Sequence, residues 1–184
     1  MTSTNISSSH LEIAVFGGGC FWCTEAVFSL LKGIKSVTSG YAGGKLPNPS
    51  YDQVSMGTTG HAEVVKLVFD PSAITYQQLL DIFWNVHDPT TLNQQGADVG
   101  TQYRSVIFFT TPEQEKEARQ SKKDQQVHFP VPIVTQIEAL DTFYTAEEYH
   151  QRYYERNTDQ PYCDIVISPK VEKVLKKYPD LLKK

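Results

Sequence analysis

LEIAVFGGGCFWCTEAVFSLLKG, residues Leu11–Gly33, decides the fold. Its opening, 11–17, reads as a short strand that runs into glycines. CFWCTEAVFSLL (20–31) reads as a helix with Gly33 as its stop signal. IKSVTSGYAG (34–43) then returns as a strand. HAEVVKLVFD (61–70) alternates as a strand does and stops at Pro71. TYQQLLDIFWNVH (75–87) carries a helical apolar stripe of Leu79, Ile82, Phe83 and Val86, and SVIFFT (105–110) is a continuous apolar run suited to a buried strand. The order up to residue 110 is therefore β-α-β-β-α-β. This is an α/β chain of the two-layer α+β kind, with a ferredoxin-like split β-α-β core and helices on one sheet face. A charged helix (112–126), an extra strand (131–140), a helix (146–157) and a short basic C-terminal helix follow. Two polar stretches, 42–60 and 88–104, read as long loops, a feature that is usually functional when ordered.

The chain has 184 residues, which suits a single domain over 1–184, with residues 1–10 as a disordered tail. Lys and Arg number 17 against 21 Asp and Glu, for a net charge of −4. That balance argues against a nucleic-acid footprint or a basic membrane patch. No apolar run is long enough to span a bilayer, and MTSTNISSSH has neither the basic nor the apolar part of a signal peptide. Three cysteines is an odd, low count, so a reducing, cytoplasmic setting is expected. The absence of an obvious apolar interface stripe points to a monomer.

A helix that starts after three glycines leaves its first N–H groups unpaired, at the positive end of the macrodipole. Cys20 stands there, so its thiol is expected to fall below the free value of ~8.5. Glycines 17–19 remove side-chain bulk and are expected to let a substrate reach the sulfur. Cys23, three residues on, begins the apolar stripe Cys23, Ala26, Val27, Leu30, Leu31. It reads equally as a small core residue or as a second redox thiol. A zinc site would need Cys20, Cys23, Cys163 and a histidine such as His150. Structural zinc ligands come as two close pairs and only one pair is present, so no metal is expected. Glu63 shares a strand face with Val65, Leu67 and Phe69, which would desolvate its carboxyl and raise its pKa; the alternative is a strand-end Glu that reaches solvent.

GCFWCTEAVF, SGYAGG, NPSY, GTTGHAEVV, FDP, HDPTTLNQQGADVGTQYRS and YHQRYY occur in this order. Together, over residues 11–167, they make the chain similar to peptide methionine sulfoxide reductases of the A type. The resemblance implies reduction of methionine-S-sulfoxide, free and in proteins, with thioredoxin or another dithiol as external reductant and no resident cofactor. It implies Cys20 as nucleophile and Glu63 as the acid that protonates the sulfoxide oxygen. Tyr51 and Tyr103 would hold that oxygen, Asp98 would bind substrate, and Phe21 and Trp22 would form the methyl pocket. Tyr153 matches a further site position, although Tyr154 beside it leaves open which ring points inward. Cys163 matches the family's C-terminal resolving position and is slightly favoured for that role. Cys23 remains its rival, and a relay through both is a third route. A dithiol oxidoreductase built on Cys20 and Cys23 alone would have no use for the two tyrosine-bearing loops.

Overall fold

The computed structural model describes residues 10–184, so nearly all of the expected tail lies outside the described residues. Strand β1 (Glu12–Gly18) feeds helix α1 (Phe21–Ser29), and β2 (Ile34–Ala42) returns. Helix α2 (Tyr51–Ser55) interrupts the first long loop. Then come β3 (Ala62–Phe69), α3 (Tyr76–Val86) and a two-stranded hairpin of β4 (Gln94–Gln95) and β5 (Asp98–Val99). β6 (Ser105–Phe109), α4 (Pro112–Gln125), β7 (Gln136–Ala139) and β8 (Phe143–Thr145) follow. Helices α5 (Tyr153–Arg156) and α6 (Ser168–Lys177) end the chain, with a π-helical turn over Cys163–Ile167 between them.

The main sheet runs β7-β6-β1-β3-β2-β8. Its inner four strands are antiparallel neighbours in the expected ferredoxin-like order, and β7 adds parallel to β6. Only Leu140–Thr142 separate β7 from β8, although these are opposite edges. Six flat strands would hold those edges ~24 Å apart. The connection reaches at most ~14 Å. The sheet must therefore curl until its edges approach.

Both faces of the curled sheet are covered. On the helix side, Phe16 stacks on Phe28, Tyr76 and Phe83 with ring centroids 5.5, 6.0 and 5.1 Å away. Val65, Leu67 and Phe69 join this layer, as their shared strand face requires. On the other side Val15, Ala42, Ala62, Val64, Val106 and Phe108 pack together, with Phe143 and Leu140 against them. Helix α1 is buried on nearly every side, and α5, α6 and the π turn cover what the sheet does not.

Three expectations are corrected. The extra strand starts at Gln136 rather than 131, because Pro130 and Pro132 have no N–H to pair and the Ile133 amide donates to the Gln126 side chain, 2.9 Å. The 146–157 helix is broken. Arg152 is left-handed (φ 54°), leaving a 3₁₀ turn at Glu148–His150 and the short α5. Tertiary partners replace the helical bonds there: the Gln151 carboxamide bonds both the N–H and the carbonyl of Ser39, at 2.9 Å each. The first loop also holds α2, started by a Ser50–Gln53 capping box.

Candidate active site

The turn before Cys20 depends on Gly19, whose φ of 92° favours glycine. A Cβ there would lie 2.6 Å from Gln95 Cγ. One on Gly18 would lie 3.3 Å from the His87 ring, and one on Gly17 2.8 Å from Val106. The space beside these glycines is filled by the protein's own side chains, so they serve close packing and turn geometry instead of the expected access to the sulfur. Cys20 is the N-cap of α1, outside the helix proper (φ −56°, ψ 127°), and only 8% exposed.

The first helical amide, Phe21 N–H, donates to Glu63 Oε2 at 3.0 Å. Glu63 is 2% exposed at the start of β3. Burial pushes its carboxyl up to about 8, against the pull of the Phe21 N–H, with the Asp98 and Cys23 charges adding to the rise. Burial also holds the Cys20 thiol well above its ordinary range, with Cys23 and the Glu63 charge acting the same way. This reverses the sequence expectation. The leading N–H of the helix is committed to Glu63, and enclosure outweighs the helix end. Cys23 is the more acidic thiol, at about 7: the Cys20 side chain lowers it most, with Lys170 and Tyr162 helping against burial and Asp98. Tyr162 lowers both thiols, while Lys170 adds to the fall at Cys23 and the Glu63 charge to the rise at Cys20.

Aromatic rings surround the sulfur. Trp22 lies flat on Tyr153, with centroids 3.6 Å apart and planes 6° apart. Its indole N–H donates to His150 Nδ1 at 3.1 Å. The Tyr154 hydroxyl instead meets Ser168 Oγ at 3.1 Å, so Tyr153 is the inward ring. Phe21 is buried against Tyr41 and His150. Tyr51 is held by its N–H, which donates to Glu147 Oε1 at 2.8 Å, while Tyr41 Oη–H donates to Glu147 Oε2 at 2.8 Å. Burial, then the Glu63 and Cys20 charges, raise the Tyr51 phenol to about 12. Tyr103 is raised by burial and by Glu63, Tyr51, Asp98 and Cys20. Both phenols thus stay neutral donors beside Glu63 and Cys20. Asp98, on β5, accepts the Tyr162 hydroxyl at 2.9 Å, and that oxygen is 3.9 Å from Cys23 Sγ.

The ten anticipated residues gather around α1, with Cys163 on the π turn that packs against that helix. It is fully buried at the head of the π turn. Burial raises its thiol, with the Cys23 charge adding to the rise. All three cysteines are free thiols. Tyr162, Glu147 and the bond from Trp22 to His150 were not anticipated. Their partners lie far away in sequence, and no local pattern marks them. Among the described residues, no three His, Cys, Asp or Glu side chains gather to hold a metal.

A family model described as peptide methionine sulfoxide reductase matches residues 12–181. Peptide methionine sulfoxide reductase MsrA of Leptospira borgpetersenii is 56% identical over 166 residues, 90% of this chain and 94% of that protein. Mxr1 of Saccharomyces cerevisiae in reduced form superposes with a TM-score of 0.78 at 36% identity, covering 85% of this chain and 91% of that one. Mxr1 in complex with Trx2 aligns at a TM-score of 0.56 and 27% identity, over 83% and 91% of the two chains.

Proposed function

The chain belongs to the peptide methionine sulfoxide reductase family, and on that premise we propose how its residues divide the work. It is an enzyme that reduces methionine sulfoxide, with thioredoxin as the recycling reductant. Its substrate is the S epimer, free or in oxidised proteins. The Cys20 sulfur attacks the sulfoxide sulfur while the oxygen takes the Glu63 proton. Tyr51 and Tyr103 donate to the same oxygen, and Phe21 and Trp22, backed by Tyr153, hold the methyl group. Asp98 binds the substrate backbone or a water and keeps Tyr162 in place. The oxygen passes to Cys20 as a sulfenic acid, methionine leaves, and the former thiol proton restores Glu63 to its acid form.

The next step needs a neighbouring thiol. Cys23 displaces water from the sulfenic acid and forms the Cys20–Cys23 disulfide. Cys163 then attacks Cys23, freeing Cys20 and leaving a Cys23–Cys163 disulfide for thioredoxin to reduce. The relay order is supported by the side-chain interaction of Cys20 with Cys23 at the start of α1 and by the Cys23 charge acting on the buried Cys163. Thiols and one carboxyl account for every electron and proton, so no resident cofactor is invoked. We place the enzyme in the cytoplasm, where its three free thiols persist. We also take it to act as a monomer, since one chain supplies the whole site.

The observation that carries the reading is Glu63, buried on β3 with its carboxyl pushed up to about 8 and accepting the backbone amide of the residue next to Cys20. Cys20→Ser should abolish methionine sulfoxide reduction in a dithiothreitol-coupled assay. Turnover retained in that variant would remove Cys20 from the reaction.

A further inference from the structure

Glu25 lies on α1, 2% exposed, three residues after Trp22 and therefore on the same helix face. Its carboxylate accepts two backbone amides from a distant segment: Arg152 N–H at 2.9 Å on Oε1 and Tyr153 N–H at 3.2 Å on Oε2. Those residues are the N-cap and first residue of α5. Arg152 holds a left-handed backbone (φ 54°, ψ 38°) without a side-chain cap of its own. That conformation is strained for a residue with a Cβ. The Arg152 guanidinium pairs with Glu155, and it is the Arg152 backbone that hydrogen-bonds Glu25. Helix α5 has four residues and cannot position itself. What it delivers is the Tyr153 ring, flat on Trp22.

We propose that Glu25 is a positioning residue for the substrate platform: it fixes the start of α5 so that Tyr153 lies on Trp22, the residue one helical turn before it. One helix and its N-cap then supply the nucleophile, the platform ring and the clamp that brings the second ring. This rests on the reading that the Trp22–Tyr153 pair walls the substrate pocket.

The test is a double-mutant cycle on steady-state reduction of free methionine sulfoxide with dithiothreitol. Glu25→Gln keeps one acceptor but turns an amide donor toward the Tyr153 N–H. The expected result is a KM raised roughly three- to tenfold, the scale of one aromatic pair, with kcat within about twofold. Tyr153→Ala should do the same, and the double variant should be no worse than either single one, because both act through one contact. Glu25→Gln that melts earlier but keeps the wild-type KM overturns the proposal, as do KM effects that multiply in the double variant. Tyr153→Ala without a KM effect removes the platform reading and this inference with it. Tyr153→Ala with the effect and Glu25→Gln without it removes the inference alone. If Glu25→Gln does not fold, hydrogen exchange of the Arg152 and Tyr153 amides in Cys20→Ser decides. Bound methionine sulfoxide should slow both at least tenfold, and unchanged exchange would refute the clamp.

Discussion

Replacing Glu63 by Gln links stability to chemistry through one carboxyl. Burial raises this group from an ordinary 4.5 to about 8. The folded chain therefore binds more protons than the unfolded chain between those values, and its stability falls as pH rises through that window, levelling above 8. Each pKa unit is worth ~1.4 kcal/mol. From pH 5 to pH 9 the ionising carboxyl should cost about 4 kcal/mol, by linkage with those two values. Gln cannot ionise, so urea unfolding of the two proteins at a series of pH values should diverge by about that amount, the wild type losing more as pH rises. The same carboxyl is the proposed acid. Wild-type single-turnover reduction should therefore decline above pH ~8, while Glu63→Gln should be slower by about a hundredfold and lack that decline. Unfolding curves that stay parallel within ~1 kcal/mol from pH 5 to 9 would show that the carboxyl is not desolvated as described. A decline that persists in Glu63→Gln would assign it to another group.

Two further predictions concern the neighbours of Cys20. Mass-spectrometric disulfide mapping after one turnover without reductant should find Cys20–Cys23 in Cys163→Ser and Cys23–Cys163 in the wild type; a direct Cys20–Cys163 bond in the wild type would discard the relay order. Gly19→Ala must hold φ near 92° with its Cβ against Gln95, so thermal denaturation should show a loss of about 1–3 kcal/mol, and wild-type stability would mean the turn is not constrained as described.

The β-α-β-β-α-β order was legible because each of its segments carries a clear period, from the alternation of HAEVVKLVFD to the stripe of α3. The failures lie where long-range bonds override local preference. Nothing within 146–157 says that Glu25 and Ser39 will divert its backbone, so a helical reading was reasonable there and still mistaken. Helix α2 did have a local signal: Ser50 and Gln53 form a capping box that the surrounding Gly and Pro obscured. At the site, a helix start behind Cys20 could be read directly. The enclosure that raises its thiol could not, because it comes from the fold around α1 and from Glu63, forty-three residues away in sequence. The Tyr162–Asp98 bond joins residues 64 apart and was equally hidden.

The three-residue tie between β7 and β8 also bears on when the protein becomes an enzyme. Glu147, His150, Tyr153 and Cys163 all lie downstream of that tie, yet each packs on or bonds to something encoded before residue 55 or beside α1. Such separations make closure entropically costly and slow. Until the curl is complete, Glu147 has no Tyr51 to hold and Tyr153 has no Trp22 to lie on. The cysteines are then ordinary solvated thiols, open to any oxidant. Closing the sheet shelters them and builds the pocket in one event, so reductase activity doubles as a readout of finished folding.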